Sequence, residues 1–311
     1  MIVVRHARES DAAGILECLH AAFEPYRRDY TEAGFHDTVL DADTLRARLA
    51  QMSVFVAARD GAIVGTIATH VVDEREGHIR GMAVAPSCQR EGVGRRLLRR
   101  ALDDLTAAGC ERATLDTTEP LTRAARFYES AGFAKTGRSG DFFGMPLHEY
   151  ATALDTSFAI REARLDDAAA IRDVVNAAYV VERFFLDGDR INEDEVRGCI
   201  ARGAFLLASP AAGPPAACVF LQRSGNARTY LGLLAVDPGV QKRRLAALIM
   251  TAAERRCRRR GDAAIDIRVV NLRTELPPFY EARGFVTCGT EPFEDPRLFK
   301  PAHFILMTLA F

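Results

Sequence analysis

The second half of this 311-residue chain restates its first half, and that constrains the fold more than any other feature. Val4-Arg5-x-Ala7-Arg8-x-x-Asp11-Ala12-Ala13 returns as Ile160-Arg161-x-Ala163-Arg164-x-x-Asp167-Ala168-Ala169, 156 residues later. Met82-Ala83-Val84-x-Pro86 returns as Leu234-Ala235-Val236-x-Pro238 at a spacing of 152. Phe127-Tyr128-Glu129-Ser130-Ala131-Gly132-Phe133 returns at the same spacing of 152 as Phe279-Tyr280-Glu281-Ala282-Arg283-Gly284-Phe285. The blocks keep their order and the spacing changes once. A repeat of that length is a duplicated domain rather than a solenoid unit. The seam is expected over residues 150–157, which gives domains 1–150 and 157–311. Each is long enough to bury a core of ordinary size.

Each copy alternates apolar patterns in one order. In the first, a strand over 2–4 precedes a helix that Ser10 or Asp11 can cap, with Ile15, Leu16, Leu19 and Phe23 on one side. A helix is expected over 43–51. Strands over 53–59 and 62–71 flank Asp60-Gly61, a strong hairpin signal. A strand over 79–84 leads through a loop into a helix with Val93, Leu97, Leu98, Ala101, Leu102 and Leu105 at helical spacing. A strand over 113–117, a helix over 121–131 stopped by Gly132, and closing strands over 133–136 and 142–147 complete the copy. Hairpins first and crossings later imply an α+β (mixed α/β) fold. Its sheet should be mixed, mostly antiparallel, and flanked by helices on both faces.

The loop is where chemistry enters. Gln89-Arg90-Glu91-Gly92-Val93-Gly94 joins a strand to a helix N-terminus, where free amides converge and favour an anion. Glycine at 92 and 94 lets backbone approach a pyrophosphate closely. The pattern Q-x-x-G-x-G follows a Met-Ala-Val-x-Pro strand, and about thirty residues later comes Phe-Tyr-x-x-x-Gly-Phe. The combination resembles the GCN5-related N-acetyltransferase (GNAT) superfamily, and the resemblance covers nearly the whole chain as two tandem domains.

That resemblance implies acetyl-CoA as acyl donor and direct transfer of an acetyl group to a primary amine of a small molecule or peptide. Met82, Ala83 and Val84 would pair with the pantetheine arm. Gln89, Arg90, Glu91, Gly92, Val93 and Gly94, with Arg95 beside them, would hold the pyrophosphate. Tyr128 matches the family's tyrosine acid; a phenol protonated at neutral pH suits a thiolate leaving group. His78 stands where some members carry a glutamate base. Glu24 and Tyr26 fall where acceptor pockets are often built. Leu121 departs from the family's usual asparagine and removes one expected contact to the CoA arm.

The second copy reads Gln241-Lys242-Arg243-Arg244-Leu245-Ala246, with Arg244 in place of Gly92. A side chain there is expected to obstruct close approach of a pyrophosphate; the opposing reading is that Lys242, Arg243 and Arg244 replace amides as phosphate donors. Asn271 and Arg273 read either as loop cap and surface charge or as a retained binding surface. Catalysis is therefore expected in the first copy, with the second supporting the fold, shaping the acceptor site or mediating a homodimer. A non-catalytic acyl-CoA sensor and activity in both copies are the alternatives.

The net charge of −1 argues against bulk attraction to nucleic acid or an anionic membrane. The run Arg255-Arg256-Cys257-Arg258-Arg259-Arg260 reads as a solvated helix end. Seven cysteines, an odd number without C-x-x-C spacing, indicate neither a disulfide framework nor a zinc or other metal site. No apolar stretch suggests a signal region or membrane span, so a cytoplasmic protein is expected.

Overall fold

The computed structural model describes residues 1–240 and 244–311. They form two compact units, Met1–Asp155 and Thr156–Phe311.

The first unit runs β1 (Ile2–His6), α1 (Ala12–Phe23), α2 (Glu32–Val39), α3 (Ala42–Gln51), β2 (Ser53–Arg59), β3 (Ala62–Val71), β4 (Glu76–Val84), α4 (Val93–Ala107), β5 (Arg112–Thr118), α5 (Thr122–Ser130), β6 (Ala134–Phe142) and β7 (Met145–Ala153). Its seven strands lie in the order β1-β2-β3-β4-β5-β7-β6, and only β4 with β5 is parallel. Asp60 and Gly61 both take positive φ, as a two-residue hairpin requires. A capping box between Asp41 and Thr44 starts α3.

Helix α4 buries Val93, Leu97, Leu98, Ala101 and Leu105 against the sheet. Each leucine so buried contributes about 1.5–3 kcal/mol. Small residues beneath α4 make room: a Cβ on Gly65 would stand 2.8 Å from a Leu97 methyl, and one on Gly77 would stand 2.9 Å from Leu105 Cγ. On the other face, Ile15, Cys18 and Leu19 of α1 pack with Leu45, Val54, Val56 and Ala68.

The second unit repeats this with β8 (Phe158–Glu162), α6 (Ala168–Tyr179), α7 (Glu193–Arg202), β9 (Ala204–Pro210), β10 (Ala217–Ser224), β11 (Arg228–Val236), α8 (Leu245–Arg259), β12 (Ala264–Val270), α9 (Leu276–Glu281), β13 (Val286–Pro292) and β14 (His303–Ala310). Read from β8, its order is β8-β9-β10-β11-β12-β14-β13, the topology of the first unit.

The N-terminal repeat block is a structural strap. Arg5 donates to both Asp11 oxygens at 2.6 and 2.9 Å, and Asp11 also accepts from the Arg8 amide. Arg161, Asp167 and the Arg164 amide repeat the arrangement, with both guanidinium bonds at 2.7 Å. The planar fork of arginine matches the carboxylate, which explains why these residue types recur together.

Three expectations are corrected. Helix α2 has no counterpart in the sequence reading; Thr31 caps it by accepting from the Gly34 amide. The first unit's last strand does not end at 147 but runs through Thr152 to Ala153, because the hairpin turns at Phe143-Gly144. Strand β6 extends to Phe142 rather than to 136, since β7 pairs with it along that length. The basic run on α8 is braced within its own unit: Arg256 meets Glu162 at 2.9 Å, Arg258 lies over the Phe311 ring, and Arg260 pairs with Asp262. Six cysteines are buried, Cys288 is exposed, and all seven are free thiols. Among the described residues no helix is long and apolar enough to cross a membrane.

Candidate active site

The site of the first unit is a place where two strands stop pairing. β4 and β5 are in register only from Glu76 with Arg112 to Ile79 with Leu115. Beyond this, Gly81 and Met82 together oppose the single residue Ile67 of β3, and Gly81 takes a φ of +62°. A bulge turns the strand and releases its backbone from the ladder. The rest of β4 thereby parts from β5 and opens a cavity of about 800 Å3. Residues 78–84 form one wall, and 116–118 with part of α5 form the other. From Met82 to Val84 the strand keeps β3 on one side but has no partner strand on the other, and such an edge suits a ligand that itself carries amides.

At the end of β4 the chain turns into α4. Gly92 caps this helix with φ +79° and ψ 6°. The first intrahelical bond there is Arg96 N to Gly92 O, so the amides of Val93, Gly94 and Arg95 have no carbonyl within the helix. Gly92, Val93, Gly94 and Arg95 line the cavity together with Gln89 and Arg90. The two glycines answer different needs. Gly94 packs closely, since a Cβ would lie 3.1 Å from Met82 Cε; around Gly92 nothing lies within 4 Å, and only its left-handed backbone calls for glycine. Gln89 ties the loop together by donating to Val84 O at 3.3 Å and accepting from Arg123 at 3.0 Å. Arg123 also lines the cavity, and the sequence held no signal for it. Glu91 does not join the lining; it forms an ion pair with Arg59.

Tyr128 of α5 lines the cavity beside Leu121 and Phe127. Its ring is buried, and among the described residues its hydroxyl has only the Met82 thioether as a partner, at 3.5 Å. Burial pushes its pKa well above the usual phenol value, so the hydroxyl keeps its proton.

His78 also reaches the cavity. Its Nδ1 is 3.0 Å from Thr114 Oγ1 and its Nε2 is 3.6 Å from Asp116 Oδ2. Burial, then His70 and Arg80, lower its pKa to about 4, which keeps the ring neutral at neutral pH. Asp116 is raised, mainly by burial and then by Glu149. This carboxylate had no signature in the sequence, because β5 supplies it across the sheet. Tyr26 lines the cavity, whereas Glu24 does not; it sits 3.6 Å from His20 on the outer side of its turn.

In the second unit the same two backbone features persist without glycine. Leu233 takes φ +49° where the first unit has Gly81, and Arg244 takes φ +62° and ψ 17° where it has Gly92. β11 and β12 pair only over Arg228–Tyr230 with Ala264–Asp266 and then part. The expectation that Arg244 alters the loop is thus sharpened: its cap conformation is retained, and what differs is the added side chain. Gln241, Lys242 and Arg243 lie outside the described residues, and so does the reading that Lys242 and Arg243 donate to phosphate. Tyr280 is buried, and burial pushes its pKa up to about 12. Asn271 is a loop cap, bonded through backbone and side chain to His303, and Arg273 pairs with Glu182 and Glu275.

Comparison with known proteins gives the family. The acetyltransferase (GNAT) family profile matches residues 15–133, and an acetyltransferase (GNAT) domain profile matches residues 177–301. A mycothiol acetyltransferase of Beutenbergia cavernae is 39% identical over 74 residues, 24% of this chain and only 25% of that protein's length. An IAA acetyltransferase of Azospirillum brasilense is 31% identical over 142 residues, 45% of this chain and 91% of that protein. A PaiA N-acetyltransferase of Thermoplasma acidophilum, solved in complex with coenzyme A, superposes with a TM-score of 0.42 at 16% identity over 48% of this chain and 98% of that one. With a domain of this kind in each half, and a relative matched over nearly its whole length, the chain belongs to the GNAT acetyltransferase family.

Proposed function

We propose that the first unit transfers an acetyl group from acetyl-CoA to a primary amine of a small molecule or peptide. The observation that carries this reading is the single cavity joining the α4 amides, the freed edge of β4 and the Tyr128 hydroxyl. The amides of Val93, Gly94 and Arg95, with Arg90 and Arg123, would hold the pyrophosphate of acetyl-CoA. The pantetheine arm would lie along Met82, Ala83 and Val84, and a β4 amide would face the thioester oxygen.

The residues then divide the chemistry. The amine attacks the thioester carbonyl, and a preorganised amide stabilises the oxyanion that forms. His78, neutral and beside Asp116, accepts the proton that the amine loses. Tyr128 protonates the departing thiolate; its raised pKa keeps the proton available at any working pH. No covalent enzyme intermediate is needed.

We further propose that the second unit no longer performs this reaction, because the Arg244 side chain occupies the approach that Gly92 leaves open. Titration calorimetry of the whole chain with acetyl-CoA tests both statements. One site per chain, with CoA release against a panel of amines, is expected. Two equal sites would sink the asymmetry, and tight binding without CoA release from any amine would favour a sensor.

A further inference from the structure

The acceptor end of the cleft carries a charge arrangement that the acetyl-transfer reading does not use. Arg48 on α3, Asp37 on α2 and Arg80 on β4 all line the cavity. Arg80 meets Asp37 at 3.2 Å. Arg48 makes no hydrogen bond or ion pair among the described residues, and Asp37 acts on it only through space. The one carboxylate that acts on Arg48 is therefore already engaged by Arg80. Burial and the neighbouring Arg80 lower the Arg48 pKa to about 10, which leaves it charged at neutral pH.

The fold makes room for this cation. Leu45 and Leu49 anchor α3 in the apolar layer under α1, and Arg48 reaches from it towards β4. A side chain at Gly81 would collide with Arg48 Nη1, so the bulge that opens the cleft also seats the guanidinium. The pyrophosphate loop is too far along the chain to be its partner: from Gly81 to the start of the loop at Ala85 the strand advances about 13 Å. A half-buried cation without a direct partner costs free energy that an incoming anion would offset.

We propose that Arg48, backed by Arg80, forms a carboxylate-binding subsite, so that the amine acetylated by the first unit also bears a carboxylate. The inference rests on the acetyl-transfer reading of this cleft. The complementary charge is present as well. Asp116 stands beside His78 and feels the charge of Arg80 through space, and it attracts the ammonium end of such a zwitterion. Phe23, Tyr26, Tyr30 and Phe142 line the same cavity, and they offer the remainder of the acceptor an apolar wall.

The test compares the whole chain on matched acceptors: the common amino acids, their amides and the amines that lack the carboxylate, with CoA release as readout. The best free acid is expected to exceed its amide in kcat/KM by about 10- to 100-fold, the range of a charge-assisted bond. In Arg48→Gln that preference should fall below about threefold, with acetyl-CoA affinity retained as evidence that the cleft is folded; Arg48→Lys should keep part of it. Amides and amines used as well as free acids by the wild type would overturn the subsite and leave acetyl transfer standing. Wild-type preference that survives Arg48→Gln would assign it elsewhere and also overturn the proposal. No CoA release from any acceptor would instead remove the acetyl-transfer reading, and the subsite with it.

Discussion

Replacing Gly92 with arginine would turn the first unit's loop into the second unit's at its decisive position. The stability cost follows from the backbone. At φ +79° a residue with a Cβ is strained by about 1–2 kcal/mol. Loss of glycine's freedom in the unfolded chain returns about 0.4–1 kcal/mol. No atom lies within 4 Å of the new Cβ, so no clash adds to this. The net cost is about 1 kcal/mol, a fall in Tm of about 2–4 °C for a domain of this size. The ligand cost is larger. If the side chain keeps phosphate from one of the amides at Val93, Gly94 and Arg95, a charge-assisted bond of about 1.5–3 kcal/mol is lost. Acetyl-CoA affinity should then fall by about 10- to 100-fold in calorimetry, while the unit stays folded. Gly92→Ala separates the Cβ from the rest of the side chain and should fall between. The reverse change, Arg244→Gly, should raise the second unit's stability slightly by relieving its φ of +62°. Acetyl-CoA affinity in Gly92→Arg within threefold of wild type would refute the reasoning, because the second copy's arginine would then be no obstacle.

Tyr128→Phe should leave acetyl-CoA affinity and Tm almost unchanged, since the hydroxyl donates to a weakly accepting thioether, yet lower kcat by about 100-fold or more in steady-state assays; equal kcat would remove Tyr128 from the mechanism. His78 makes the first unit acid-sensitive. With its pKa at about 4 against the ordinary 6.5, the unfolded chain binds the proton more readily, so stability is full above pH 6.5 and falls as pH drops towards 4. Its share is at most about 3 kcal/mol, and urea denaturation of wild type and His78→Gln across that window should show a shallower fall in the variant. Gly77→Ala should destabilise by about 1–3 kcal/mol through overpacking against Leu105, with no effect on loop chemistry once folded; a Tm equal to wild type would show that α4 can shift.

Some of this protein was legible in the order of its residues. Periodicity and turn chemistry located β2, β3, α4 and α5, because apolar spacing and an Asp-Gly turn act over a few neighbouring residues. The repeat supplied the duplication, and the glycines at 92 and 94 marked the loop that opens α4 on the cavity, since a glycine turn before a helix is a local signal. Other parts had no local signature. Arg123, Asp116 and Arg48 come to the cleft from α5, β5 and α3, and only sheet order and helix packing bring them to one cavity. Glu24 and Glu91 lie at expected positions in the chain, but their side chains pair with His20 and Arg59 instead. The second unit teaches the same lesson about the backbone. Leu233 and Arg244 hold left-handed conformations that their residue types disfavour, because strand pairing and helix packing outweigh about 1–2 kcal/mol of local strain at each. The sequence by itself determined that there are two copies and that a glycine loop precedes a helix in the first; the tertiary structure decided which side chains surround that loop, because packing over many residues can overrule the preference of one.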